Sequence, residues 1–557
     1  MVFSDLEKRA LEVFVTSADS QIYAIKHTIP PEVFGAFGSY FSRNPKDFRD
    51  HLLDAIKGTI SEEGMSEDRD ESLSEEDALR WITEKAKDPS LATEYGLKKS
   101  RVFFRKWYGR YSHKSIANTV WIPMVATEVS QLFARELAYE QLAFFIEQST
   151  RYVHWDPNKM FLDPMIMKSR HRERFIQTLE ELINSYNKIK DFAFEFYTGK
   201  NPFEKWMEKQ PQNIKDSDKK VQEKTYERQI IGAALDIARF LLPQAAKTNI
   251  AWILDARSTE FDIAAWKGHP LGEMRDIAKL IEEHAGQIAP SLLKYTEKNE
   301  YYGNSLRRHD LFFEGSLDNF DKGIDVISYD PDSLNKTIAH LLKRHSFGGT
   351  FGQKYANVKN LSFKEKIDIL QLFSSGRQLQ DEWVEMDEEF DLEKVTFEIR
   401  TDLGAARDLR RHQKLDRSEP LYTTENGFYV PPMIKDMNPK AKEIFERALS
   451  MADETSSSIR KDLPYESQYI VPMATKHAIT MSAGLDQTQY LLWTRTTPEG
   501  NFSYREDAFN LAEAFVKTYP WVLGYETYPD GPFIEIYKNA PLKNILRLQI
   551  GEAVLHT

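Results

Sequence analysis

The residues best suited to chemistry stand together at Glu147-Gln148-Ser149-Thr150-Arg151-Tyr152. A carboxylate, a hydroxyl and a guanidinium alternate there, between a helical pattern over 128–145 and the loop His154-Trp155-Asp156-Pro157. The planar fork of an arginine matches phosphate geometry, and a serine adds a short donor beside it. Such a cluster suits an anionic nucleotide. The plainer alternative is a polar helix end in which Arg151 pairs with Glu147, a common surface arrangement of small effect. No other catalytic pattern competes. There is no Gly-x-Gly-x-x-Gly after a strand, no Walker loop, no His-Glu-x-x-His and no Gly-x-Ser-x-Gly. Gly348, Gly349 and Gly352 read as a helix break. The acidic run Glu385–Asp391 reads as a solvated face rather than a cation site.

Composition narrows the setting. A chain of 557 residues suggests two or more domains, and 41% hydrophobic with 29% charged residues gives a globular chain with a substantial core. The net charge of -12 argues against broad nucleic-acid or membrane-surface binding, yet leaves room for a small basic pocket around one phosphate. There is no cysteine, so thiolate nucleophiles, disulfides and Cys-ligated metals are excluded. Met1–Ser20 lacks the apolar centre of a signal peptide, and no run has the length of a membrane span. The expectation is a cytoplasmic protein.

The elements that must position these residues are mostly helical patterns. Residues 4–14, 78–87, 170–197, 226–242, 271–284, 403–414, 439–463 and 504–519 have helical periods, and 30–60 is helical in pieces. Residues 248–265 read as an apolar helix, and so do 469–494 after a proline. Strand candidates are 119–126, confined to an edge by Pro123, and 395–400. Residues 61–77 read as an acidic mobile loop, 201–222 as a Lys-rich loop, 299–325 as the boundary between halves, and 422–432 as a loop. The second half repeats the order of the first: 469–494 mirrors 239–266, and 504–519 mirrors 271–284. This points to an internal duplication, with copies over 1–305 and 306–557.

Short motifs now carry a resemblance. They are His113-Lys114-Ser115, Ser149-Thr150-Arg151-Tyr152, Arg239-Phe240-Leu241-Leu242-Pro243 with Asp255-Ala256-Arg257, and Arg407-Asp408-Leu409-Arg410-Arg411-His412. Together they resemble the flavin-dependent thymidylate synthases, or thymidylate synthase complementing proteins, in a double-length form. The resemblance implies an α+β fold in two tandem copies, each with helices packed on a short antiparallel sheet.

The departures fall in a pattern. The family's Arg-His-Arg triplet is Tyr139-Glu140-Gln141 in the first copy and Arg411-His412-Gln413 in the second. The family's late arginine is Trp266 in the first copy and Arg495 in the second. The second copy has no Ser-x-Arg-Tyr. Strict spacing puts Leu421-Tyr422-Thr423-Thr424 in its place, and matching the tyrosines puts Glu419-Pro420-Leu421-Tyr422 there. The arginine before Leu-Pro is Arg239 in the first copy and Gln468 in the second. Asp255 and Phe261 replace two further asparagines of the family. The copies have thus lost opposite halves of one motif set.

The resemblance implies methylation of deoxyuridine monophosphate (dUMP) to dTMP, with FAD as cofactor and NADPH and methylenetetrahydrofolate as co-substrates. It needs no cysteine, in keeping with the composition. Glu147, Ser149, Arg151 and Arg239 of the first copy would join Arg495 of the second around the nucleotide, with Arg151 and Arg495 the catalytic candidates. Arg411 and His412 would lie against the flavin, and His113 and Ser115 would contact FAD. A homodimer would stand in for the family's homotetramer. Plainer roles stay open: His113 as a turn cap, Arg411 and His412 as cations at a helix C-terminus, and Arg495 likewise. The alternatives for the whole chain are a duplicated scaffold without turnover, or a related flavoenzyme acting on another pyrimidine nucleotide.

Overall fold

The computed structural model describes residues 3–26, 45–56, 74–76, 79–80, 117–118, 120–156, 159–290, 292–301, 319–377 and 385–553. His113, Ser115, and all of the acidic loop except 74–76 lie outside these. The strands are β1 (Ile22–Ala24), β2 (Trp121–Ser130), β3 (Phe144–Glu147), β4 (Lys247–Asp255), β5 (Gly323–Ser328), β6 (Val395–Asp402), β7 (Asp416–Ser418) and β8 (Lys476–Ala483). The helices used below are α1 (Gln131–Ala138), α2 (Arg172–Lys200), α3 (Lys219–Ala238), α4 (Ala256–Trp266), α5 (Gly272–Ile288), α6 (Leu403–Leu409), α7 (Ala441–Arg460), α8 (Leu485–Arg495) and α9 (Phe502–Thr518).

Two antiparallel four-stranded sheets repeat one topology, β1-β2-β4-β3 and β5-β6-β8-β7. In each, a long strand runs directly into a helix (β2 into α1, β6 into α6), and the strand after Leu-Pro or Val-Pro does the same (β4 into α4, β8 into α8). The fold is α+β and duplicated.

The chain forms two compact units. One comprises Met1–Asn184, Leu242–Ser316 and Ser450–Val471; the other comprises Ser185–Leu241, Leu317–Leu449 and Pro472–Thr557. Each unit therefore contains one sheet and a segment borrowed from the other copy. The core of the first includes Leu11, Val15, Tyr23, Phe48, Leu52, Val125 and Ala251. The core of the second includes Val395, Phe397, Ile399, Ile479, Met481, Leu511 and Phe515, drawn from one face of α9 and the inner face of its sheet.

Several expectations are corrected here. Residues 128–145 are not one helix: β2 continues to Ser130, α1 follows, and β3 begins at Phe144. The break comes from a bulge between Ala126 and Val129, where Glu128 takes a φ of 55° and its N–H is held by Asn249 Oδ1 at 2.8 Å. Residues 248–265 are strand β4 and then helix α4. β4 is a central strand buried on both faces, so its apolar run lacks the alternation that marks a strand. Residues 469–494 divide in the same way into β8 and α8. Residues 201–222 hold short helices at Phe203–Glu208 and Gln212–Lys215, anchored by Trp206, whose indole N–H donates to Gln229 Oε1 at 2.7 Å.

Pro123 does not confine its strand to an edge, since β2 lies between β1 and β4. A strand residue points its N and C=O to the same neighbour, and the Pro123 carbonyl accepts from Ile25 N at 3.0 Å. The missing donor therefore faces the end of the short β1 ladder, while Pro123 stays in register opposite Ile253 of β4.

Candidate functional site

In the second unit, β6 ends at Asp402, whose Oδ1 accepts from Ala405 N at 2.7 Å and caps α6. Asp402 Oδ2 accepts from the Ser503 hydroxyl and lies 3.3 Å from Lys322 Nζ, which is also 3.1 Å from Asp507. This buried network fixes the start of the helix that carries Arg407 and Asp408 and leads into Arg410, Arg411 and His412. Burial beside Asp402 pushes the Asp507 carboxyl up to about 7, against the lowering effect of Lys322.

Arg239 reaches this helix from the 3-10 turn that follows α3. It is 1% exposed. Its Nη1 lies 3.1 Å from Asp408 Oδ2, and its Nη2 donates to the Gly404 carbonyl at 3.2 Å. Arg411 Nη1 lies 3.9 Å from the other oxygen of Asp408. One carboxylate thus joins two predicted site residues, one from each copy. Sequence reasoning quoted Asp408 within its motif and gave it no role; its place one turn before Arg411–His412 was the available signal.

His412 is buried, with Nε2 3.4 Å from Thr494 Oγ1 and its ring edge-on to Tyr490. Burial, reinforced by Arg495, Arg417 and Arg411, holds its pKa well below the ordinary histidine value, so the imidazole is neutral at pH 7. Arg495, half-buried at the end of α8, stands over the Tyr504 ring at 5.5 Å. The arrangement is a neutral hydrogen-bonding ring among arginines, a setting that favours a planar or phosphorylated anion.

The helix that presents Arg495 has an unusual start. Its N-cap, Gly484, has no side chain; Asp391 from a distant turn supplies one, accepting from Gln487 N at 3.1 Å. A Cβ on Gly484 would come within 2.2 Å of Asp391 Cα. Gly484→Ala must therefore push the backbone of that turn away and forfeit the borrowed cap. The expected result is a loss of at least about 1 kcal/mol in denaturant unfolding, the ordinary value of a helix cap.

Sheet register also resolves the Ser-x-Arg-Tyr alignment. Glu147 lies opposite Ile250, and Ser418 lies opposite Thr480, so the next residue, Glu419, falls opposite Ile479. Ile250 and Ile479 each stand seven residues after the equivalent Pro243 and Pro472. Glu419 is thus the counterpart of Glu147, and strict spacing holds: Leu421 and Thr423 replace Ser149 and Arg151. The Glu419 side chain is buried, 3.2 Å from His477 Nε2 and 3.8 Å from Arg410, and Arg410 donates to the Tyr422 hydroxyl at 2.5 Å. In the second copy, this corner is knitted into an internal network that the sequence did not reveal.

In the first unit, Glu147 is buried, and Ser149 and Arg151 are half-buried. Ser149 Oγ accepts from Arg151 N at 3.2 Å, a tight local turn, and the Arg151 guanidinium lies 6.0 Å from the Tyr152 ring centre. Gln468, the counterpart of Arg239, accepts from Arg135 Nη1 at 3.3 Å, a neutral acceptor at the position from which Arg239 pairs with Asp408 in the second unit. Ser130, the counterpart of Asp402, caps α1 and donates its hydroxyl to Glu273 at 2.5 Å; Tyr469 also donates to Glu273, at 2.9 Å. Among the described residues, the structure brings Arg239, Arg411, His412 and Arg495 into one unit, and Glu147, Ser149 and Arg151 into the other.

His345, Asp387 and Glu389 are the one group among the described residues with metal-ligand spacing, but Glu389 is engaged by Arg344 at 3.1 Å. No helix among the described residues is long and apolar enough to cross a membrane.

The sequence pattern of the thymidylate synthase complementing protein family matches residues 66–291 and again 335–521. The chain belongs to that family. The double match accords with the repeated sheets. Among its relatives, a UPF0159 protein of Chlamydia muridarum is 26% identical over 93% of this chain and 94% of its own. A flavin-dependent thymidylate synthase of Clostridium tetani is 25% identical over 35% of this chain and 70% of its own. Among solved structures, the flavin dependent thymidylate synthase ThyX of Helicobacter pylori, complexed with FAD and dUMP, covers 36% of this chain and 84% of its own at 16% identity and a TM-score of 0.21.

Proposed function

We propose that the protein is a FAD-dependent thymidylate synthase that methylates dUMP with methylenetetrahydrofolate and NADPH. The observation that carries this reading is the Asp408 carboxylate of the second copy, which holds Arg239 of the first copy on one oxygen and lies 3.9 Å from Arg411 on the other. The motif halves lost by one copy are kept by the other, and Arg239 of the first copy's half is joined to Arg411 of the second copy's half through Asp408. Family membership and the likeness to the Clostridium tetani enzyme support the same reaction class.

The residues present fit a flavin. A buried neutral imidazole, with Arg411 beside it, offers hydrogen bonds to a heteroaromatic edge without charge repulsion. When bound, FAD would relay hydride from NADPH. His412 and Arg411 would hold and orient the ring, with His113 and Ser115 as further contacts. Arg495 would stabilise negative charge developing on the pyrimidine oxygen. Arg151 would neutralise the phosphate, with Ser149 and Glu147 fixing the nucleotide's orientation. Arg239 would act through Asp408, which aligns Arg411. A homodimer in the cytoplasm belongs to the same reading.

A second reading, a scaffold without turnover, is favoured by the burial of Arg239 in an internal ion pair, which withdraws it from direct contact with a ligand. The visible absorbance spectrum separates the two. A catalyst should bind FAD, and the flavin bands should shift when dUMP is added. A protein that takes up no FAD would reject the enzyme reading.

A further inference from the structure

The duplicated sheets allow the two units to be compared position by position. Trp266 and Arg495 end equivalent helices, α4 and α8. Tyr139 and Glu140 follow α1 as Arg411 and His412 follow α6. Gln468 stands where Arg239 does, each just before its Val-Pro or Leu-Pro turn. Every cation or imidazole of the second unit's cluster is thus replaced in the first.

The replacements do more than remove charge. Trp266 is 7% exposed and packs edge-on against Phe133 at 5.5 Å, so a core side chain fills the place of the arginine. Nearby, the buried Asp262 has a carboxylate oxygen with no hydrogen-bond partner among the described residues. Burial, reinforced by Glu140 and Asp255, raises the Asp262 pKa well above the usual range. An anion brought here would meet carboxyl groups and an indole, while Arg135, over the Tyr139 ring at 5.7 Å, is buried and bonded to Gln468.

Resting on the reading above, we infer that the duplication has left one nucleotide-binding face per chain, on the second unit's Arg411–His412–Arg495 cluster, and has closed the equivalent face of the first unit to anions. The first copy then supports that cluster through Arg239 and Asp408 and has become structural at its own triplet.

Isothermal titration of the full chain, loaded with FAD and titrated with dUMP, tests this. Saturation should come at one dUMP per chain. Arg495→Ala should cut dUMP uptake at least tenfold at the concentration that saturates the parent, while Trp266→Phe should leave the stoichiometry at one. If Arg495→Ala fails to fold, Arg411→Gln, at a side chain one-third exposed, replaces it. Two dUMP per chain, or binding lost in Trp266→Phe and kept in Arg495→Ala, would overturn the inference and leave the enzyme reading standing. No dUMP uptake by the parent, with or without FAD, would overturn both.

Discussion

Asp408→Ala should destabilise the protein by about 3–5 kcal/mol, far more than loss of a surface ion pair. Arg239 is almost wholly enclosed, and an arginine cannot shed its charge by deprotonation. Its Nε already has no hydrogen-bond partner among the described residues, so Asp408 and the Gly404 carbonyl are what balance the guanidinium there. Removing the carboxylate leaves a buried cation facing a single carbonyl. Asp408→Asn, which keeps an acceptor, should cost less. Asp408→Leu combined with Arg239→Met should recover much of the loss, because an apolar pair carries no desolvation penalty. Urea denaturation followed by circular dichroism measures all three. If Asp408→Ala lies within about 1 kcal/mol of the parent, the ion pair does not hold the two copies' segments together.

That pair shows where the sequence was informative and where it stopped. The duplication and the strand at 395–400 were legible, because they depend on order, spacing and alternation along the chain. β4 and β8 were hidden. β4 is buried on both faces, and an apolar run of that kind reads equally well as a buried helix. β8 alternates cleanly, with His477, Ile479, Met481 and Ala483 inward, but its outward residues include Ala478, and the pattern was absorbed into the helix that follows. Asp408 and Glu419 were hidden for another reason. Their roles come from partners far along the chain, Arg239 for one and His477 for the other. Periodicity cannot report such pairs. The exchange at the helix caps is of the same kind: Ser130 with Glu273 in one unit has become Asp402 with Ser503 in the other, so acceptor and donor have traded elements. Asp391 capping α8 in place of the missing side chain of Gly484 is a third case.

Arg151→Ala and Arg495→Ala should each weaken dUMP binding by roughly 10- to 150-fold, the equivalent of about 1.5–3 kcal/mol for a hydrogen bond to a charged group. Neither loss has a substitute. Register puts Thr423 in the place of Arg151 and helix equivalence puts Trp266 in the place of Arg495, so each arginine is the sole survivor of its position. Arg495→Lys separates charge from geometry: it keeps the cation but loses the planar fork, and should recover only part of the affinity if the arginine grips an oxygen pair. Raising ionic strength should weaken the parent more than Arg151→Ala if Arg151 meets the phosphate. Equilibrium dialysis against labelled dUMP at two salt concentrations reads each of these. A chain in which one alanine variant loses affinity while the other binds as the parent does would mean that one copy alone makes the site. The complementary loss of motifs would then be a coincidence of divergence rather than a division of labour.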